Sequence, residues 1–196
     1  MKYISAQPAT QYFGWQIDIM LYSFRTVGIN LEDVHVLCLI QGQIDVYFDT
    51  LMKKYPGVLF SFYEDTRDYR VYIPSVKQHL LHKHYLAFPE LENETVFLTD
   101  SDICLTSPVN FNGLLDDNIW YLSDTISYMG YDYIASKGDD ILNPMLEVAG
   151  ISKDIVRSMQ GASGGAQYLF KNVKASYWQE VVEMSHNLYK KMLVVS

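Results

Sequence analysis

Thr95-Val96-Phe97-Leu98-Thr99-Asp100-Ser101-Asp102 decides how this chain is read. The first five residues form a short apolar run rich in β-branched and aromatic side chains, the signature of a buried strand. The run ends in two carboxylates one residue apart. Side chains at i and i+2 on an extended backbone point the same way, so Asp100 and Asp102 converge on one small volume. Converging carboxylates repel unless a proton or a cation offsets their charge. A hard divalent ion, completed by phosphate oxygens and water, offsets it well. In an open α/β sheet, ligands bind outside the carboxyl ends of the strands. Address and chemistry together mark a candidate site for a metal ion and a nucleotide diphosphate. The plainer alternative is a solvated turn in which one aspartate caps the backbone that follows. The motif alone leaves both open.

Upstream of this segment the pattern is regular. Tyr3-Ile4-Ser5 reads as a short first strand ending in a Gln7-Pro8 loop. Phe13, Ile17, Met20, Leu21, Phe24 and Val27 fall on one face of a helix, with Gly28 as its stop. Val34 to Ile40 is almost continuously apolar, as in a strand buried on both faces of a parallel sheet. Val46 to Tyr55 reads as a helix closed by Pro56-Gly57, and Val58 to Tyr63 as the next strand. Pro74 opens a further helix, where its missing N–H is harmless. The order β-α-β-α-β-α-β predicts a doubly wound, mostly parallel sheet flanked by helices, a Rossmann-like single α/β domain over residues 1–196.

Downstream, Ile119 to Asp124 reads as a strand, 128–137 as a Gly-punctuated loop, and 141–149 and 153–159 as helices. Ser163-Gly164-Gly165 is a tight turn into the strand Ala166 to Phe170. A last helix over 175–192 offers Trp178, Val181, Val182, Met184, Leu188 and Tyr189 as buried residues. The chain stops soon afterwards, abruptly for a site-forming half.

The net charge of −8 and the absence of any Lys/Arg run disfavour a nucleic-acid partner, whose binding needs phosphates neutralised. They suit a protein that recruits a cation to hold an anionic cofactor. Sixteen tyrosines supply surface that is apolar on one side and hydrogen-bonding on the other. Cys38 and Cys104 lie in apolar stretches and read as free, buried thiols. Neither a signal-peptide core nor a spanning segment is visible, and the sequence reads as cytoplasmic.

Tyr72-Ile73-Pro74-Ser75, Phe97 to Asp102, Tyr121-Leu122-Ser123-Asp124-Thr125 and Ser163 to Tyr168, in that order, resemble a GT-A-class group of nucleotide-sugar-dependent glycosyltransferases. The group comes from bacteria and phages and is distantly similar to plant peptidyl hydroxyproline and serine glycosyltransferases. The resemblance implies hexosyl or pentosyl transfer from a UDP-sugar, with manganese or magnesium, to a glycan, protein or small-molecule acceptor. It implies a nucleotide-binding half over residues 1–102 and an acceptor- and sugar-binding half over residues 103–196. Asp100 would face ribose and metal, with Ser101 between it and Asp102, which would ligate the metal directly. Ala6-Gln7-Pro8 would hold the nucleoside, Lys77 would touch the donor, and Gly164-Gly165 with Gln167 would approach the donor sugar. A third metal ligand, often a histidine, is not placed by the pattern. His186 reads as packed or solvated, and either a residue beyond Ser196 or water would complete the shell.

Each candidate has a plainer reading. Gly164-Gly165 serves as well as a simple turn. Lys77 serves as a solvated helical charge. Asp124, favoured as a sugar-binding or acid–base group, serves as a cap on Thr125 and Ile126. His79, His82 and His84 cannot all share a helical face and read as structural rather than zinc-binding. Trp15 and Gln16 read as helix packing and a surface amide, with base stacking the alternative. Two other functions stay in view. One is a non-catalytic nucleotide-sugar or glycan-binding module. The other is a sugar-nucleotide nucleotidyltransferase, ranked lower because Gln7-Pro8-Ala9-Thr10 lacks a Gly-rich basic loop.

Overall fold

The computed structural model describes residues 1–195. In chain order the elements are β1 (Lys2–Pro8), α1 (Gln11–Thr26), β2 (Val34–Ile40), α2 (Tyr47–Lys54), β3 (Leu59–Glu64), α3 (Val76–Ala87), β4 (Val96–Thr99), β5 (Tyr121–Asp124), α4 (Ile126–Met129), α5 (Tyr131–Ala135), α6 (Asp139–Ala149), α7 (Lys153–Ser158), β6 (Gly164–Phe170) and α8 (Ala175–Val195). The strands form one sheet in the order β3-β2-β1-β4-β6-β5. β1 to β4 are parallel. β6 is antiparallel to both neighbours, β4 and β5. The expected α/β architecture with a mostly parallel sheet is therefore present. The antiparallel strand inserted between β4 and β5 was not expected.

β2 shows why the sheet is sandwiched. Its Leu37 and Leu39 join α3 and α8 in one core cluster with Leu80, Leu81, Tyr85 and Trp178. Its Val34, Val36 and Cys38 join α1 and α2 in the other, with Ile17, Met20, Leu21, Phe24 and Phe48. A strand covered on both faces needs apolar side chains at every position, and alternation disappears.

Several expectations change. β1 continues through Ala6, Gln7 and Pro8, which pair with Leu37, Cys38 and Leu39, so Gln7-Pro8 is strand rather than loop. β4 pairs with β1 only from Lys2 to Ser5. The last three residues of β1 thus have no partner on the β4 side, where Pro8 needs no donor. Residues 128–137 hold the second half of α4 and all of α5, two short helices divided at Gly130, rather than a loop. β6 begins at Gly164, two residues earlier than expected, and a bulge between Leu122 and Ser123 accommodates Ala166 at φ 59°. On α8, Met184 is exposed and His186 is buried, because His186 meets a hydroxyl partner on the adjoining turn. Cys38 is buried, but Cys104 is exposed beyond the end of β4. No helix of the described residues is long and apolar enough to cross a membrane.

Candidate functional site

The order β2-β1-β4 reverses direction at β1. β2 lies on one side of β1 and β4 on the other, which is the switch point where α/β sheets open a crevice beyond the strand ends. A cleft of about 380 Å³ lies there. Ala6, Gln7 and Pro8 at the end of β1 form one wall, with Tyr12, Phe13 and Gln16 of α1. Ile73, Pro74, Val76 and Lys77 at the start of α3 form another. Asp100, Ser101 and Asp102, just past β4, close the third side. Thus three segments distant in sequence, the acidic turn singled out from residue chemistry and the other two from the resemblance, share one cavity.

Within the cleft, Lys77 Nζ donates to Asp100 Oδ1 in an ion pair. Asp102 is exposed and has no hydrogen-bond or ion-pair partner among the described residues. Ser101 borders the cleft, but its buried hydroxyl donates to Gln16 Oε1 at 2.8 Å, tying the Asp-Ser-Asp turn to α1. Gln7 also borders the cleft with its amide engaged in the sheet. Its Oε1 accepts from Ser5 Oγ at 2.8 Å and its Nε2 donates to the Leu37 carbonyl at 3.1 Å. Ala6 is buried and contributes backbone and a methyl group. Trp15 is 47% exposed and, with Asp102, Ile103 and Cys104, lines a shallow hollow beside the cleft.

The start of α3 is held by a clamp that sequence reasoning missed. The fully buried Arg67 guanidinium takes Asp65 bidentately, Nε to Oδ1 at 2.9 Å and Nη2 to Oδ2 at 2.8 Å. Its Nη1 donates to the Tyr72 carbonyl and to Ser75 Oγ, each at 2.8 Å. His186 Nε2 of α8 lies 2.8 Å from the same Ser75 Oγ. The Arg67 hydrogen bonds hold the Asp65 carboxyl below its ordinary range. The clamp fixes the turn two residues before Lys77, and so fixes where that ammonium emerges.

The other predicted residues gather elsewhere along the same sheet edge, around the β5–β6 pair. Asp124 is exposed, and its Oδ1 accepts from the Ile126 N–H at 2.9 Å, the capping contact of the plainer reading. Gln167 Oε1 accepts from Ser123 Oγ at 2.5 Å across the bulge. A Cβ on Gly164 would lie 2.4 Å from Leu122 Cβ, and one on Gly165 would lie 3.1 Å from Thr125 Cγ2. Packing therefore accounts for Gly164, whereas at Gly165 the Thr125 methyl would have to give by a few tenths of an ångström. None of these four residues borders the cleft that holds Asp100. Tyr168 connects the two regions. It pairs with Leu98 of β4, and burial, then the nearby Asp100 charge, push its phenol upward. One more tyrosine in a strand gave the sequence no reason to single it out.

The three histidines of α3 separate. His84 is buried between His35 Nδ1 at 2.9 Å and the Tyr63 hydroxyl at 2.7 Å. His82 Nδ1 meets the Ala175 carbonyl at 2.9 Å, and His79 Nε2 accepts from the Thr66 N–H at 3.4 Å. Among the described residues no group of three or more His, Cys, Asp or Glu side chains is placed to hold a metal. The Asp100–Asp102 pair offers two oxygen-bearing side chains, the donor chemistry of a hard cation that keeps ligand oxygens and water in its shell. A second cavity of about 330 Å³ lies among α4 to α8. It is lined by methionine and aliphatic side chains, with Tyr131 and Ser163 as its polar-tipped members, so it offers no comparable chemistry.

No family model matches the chain, and no curated protein matches it.

Proposed function

We propose that the chain is a metal-dependent glycosyltransferase of GT-A type that transfers a sugar from a nucleotide diphosphate, UDP by the resemblance of its ordered motifs, to an acceptor. The observation that carries the reading is the cleft at the β1–β4 switch point. It brings the two carboxylates, the Lys77 ammonium and the open end of β1 together.

Asp102 and Asp100 would hold the cation. Asp102 has no partner to displace among the described residues, and Asp100 is held by a half-exposed ion pair. A bound divalent cation supplies charge stabilisation for a diphosphate leaving group. The chain's own residues do the rest. Ala6 to Pro8 present strand edge to the nucleoside, where backbone groups free of β4 can hydrogen-bond a base. Lys77 brings a compact positive charge to the phosphate oxygens as the anomeric bond lengthens. Gln16 and Ser101 keep the acidic turn from shifting when the ligand enters.

Manganese-dependent hydrolysis or transfer should appear in a screen of nucleotide-sugars. Asp102→Asn should reduce it at least about a hundredfold, the size of effect seen when one transition-state charge contact is removed. Equal turnover by wild type and variant would end the assignment. One observation favours the second reading, a non-catalytic nucleotide-binding module. Asp124, the acid–base candidate, lies outside the cleft as a backbone cap. Manganese-dependent UDP binding without turnover of any nucleotide-sugar would select that reading.

A further inference from the structure

We infer that Lys77 makes cation and nucleotide binding interdependent: it holds the Asp100 carboxylate until a divalent cation claims it, then passes its charge to the diphosphate. The inference rests on the reading of the cleft as a cation-assisted diphosphate site and adds to it a coupling between the two ligands.

The charge count of the cleft comes first. Its lining holds three ionised side chains, Asp100, Asp102 and Lys77. With Lys77 on Asp100, the net charge facing a ligand is about −1, which repels a diphosphate. A divalent cation turns that sign to positive, but it must share Asp100 with an ammonium of like charge. Cation alone is therefore opposed by Lys77, and nucleotide alone by the carboxylates. When both are present, the cation takes the carboxylates and the ammonium takes phosphate oxygens, so each group has a partner of opposite charge.

The geometry permits this exchange. The Lys77 side chain is 24% exposed and that of Asp100 is 42% exposed. Water reaches both, so the pair is of the screened, weakly held kind that swaps partners easily. The base of Lys77 cannot wander. Ser75, two residues before it, is fixed by Arg67 and His186. What moves is the four-carbon stem and its rotatable ammonium. Ser101, anchored to Gln16, keeps the acidic turn still while the ammonium leaves. Coupling of this kind is reciprocal, so UDP must tighten manganese by the factor by which manganese tightens UDP.

The test is a manganese titration followed by the electron paramagnetic resonance of the free ion, with and without UDP. It is run on wild type, Lys77→Met and Lys77→Arg, each first shown by circular dichroism to be folded. In wild type, UDP should tighten manganese. Lys77→Met should bind manganese alone about twofold to fivefold more tightly than wild type, since the competing ammonium is gone. Its UDP-induced tightening should shrink by about tenfold, for want of the charge that meets the phosphates. Lys77→Arg, which keeps the charge, should keep most of the coupling. If Lys77→Met binds manganese no more tightly and UDP still tightens it as in wild type, the inference falls while the cation-assisted site stands. If UDP fails to tighten manganese in wild type and in both variants, the inference and the site reading fall together.

Discussion

Gly164 separates two explanations of one dipeptide. The sequence allowed a backbone bared for a sugar, but the structure gives a steric reason, a Leu122 Cβ that would stand 2.4 Å from any added methyl group. Gly164→Ala should therefore destabilise the fold by about 1–3 kcal/mol, the usual cost of overpacking. Nucleotide affinity of the folded fraction should stay unchanged. Gly161→Ala is the control, because nothing stands within 4 Å of its added carbon. Urea midpoints for the two variants check this, and equal stability of both would remove the packing account. At this scale the sequence was informative where chemistry is local. Asp100 and Asp102 carry their meaning in charge and in position at a strand end, whereas Lys77 was marked only by the resemblance and by itself read as a solvated helical charge. Arg67 carries no such mark, because its partners Asp65, Tyr72 and Ser75 come together only when the loop before α3 folds back on itself.

Among the elements, β2, β3 and α3 are joined by a buried polar chain, His35 to His84 to Tyr63. With both rings neutral, the Tyr63 hydroxyl can donate to His84 Nδ1 and His84 Nε2–H to His35 Nδ1. A further proton on His35 Nδ1 would set donor against donor inside the core, and one on His84 Nδ1 would force the Tyr63 hydroxyl to turn round and accept. Burial pushes His35 down to about 4 and His84, also disfavoured by His35, to about 3. Burial likewise lowers His79 to about 4. An unfolded histidine titrates near 6.5, so between about 6.5 and 4 the unfolded chain binds more protons and stability falls as pH falls. From about pH 7 to about pH 5 the loss should be about 1–2 kcal/mol per buried histidine, read as a lower urea midpoint. Asp65, held low by Arg67, contributes in a more acidic window. A midpoint flat from pH 7 to pH 5 would contradict the burial of these rings. Element type was legible because buried parallel strands leave short continuous apolar runs, whereas amphipathic helices leave apolar residues three and four apart. The place of β6 was not. Its antiparallel insertion depends on a long excursion through α4 to α7, and residue spacing carries no record of where such an excursion returns.

At the scale of the molecule, the fold does one thing for the proposed function. It ends β4 early and lets β1 run on, so that a backbone edge, an ammonium and two carboxylates meet at a switch point. On the proposed reading, a protein of net charge −8 would need a cation to accept a diphosphate there. The most direct measurement is the anomalous diffraction of a crystal grown with UDP and manganese, collected at the manganese edge. The account predicts one anomalous peak within about 2.5 Å of carboxylate oxygens of both Asp100 and Asp102, with the uridine against Ala6 to Pro8. UDP bound elsewhere, or bound in the cleft with no manganese on those two side chains, would contradict it.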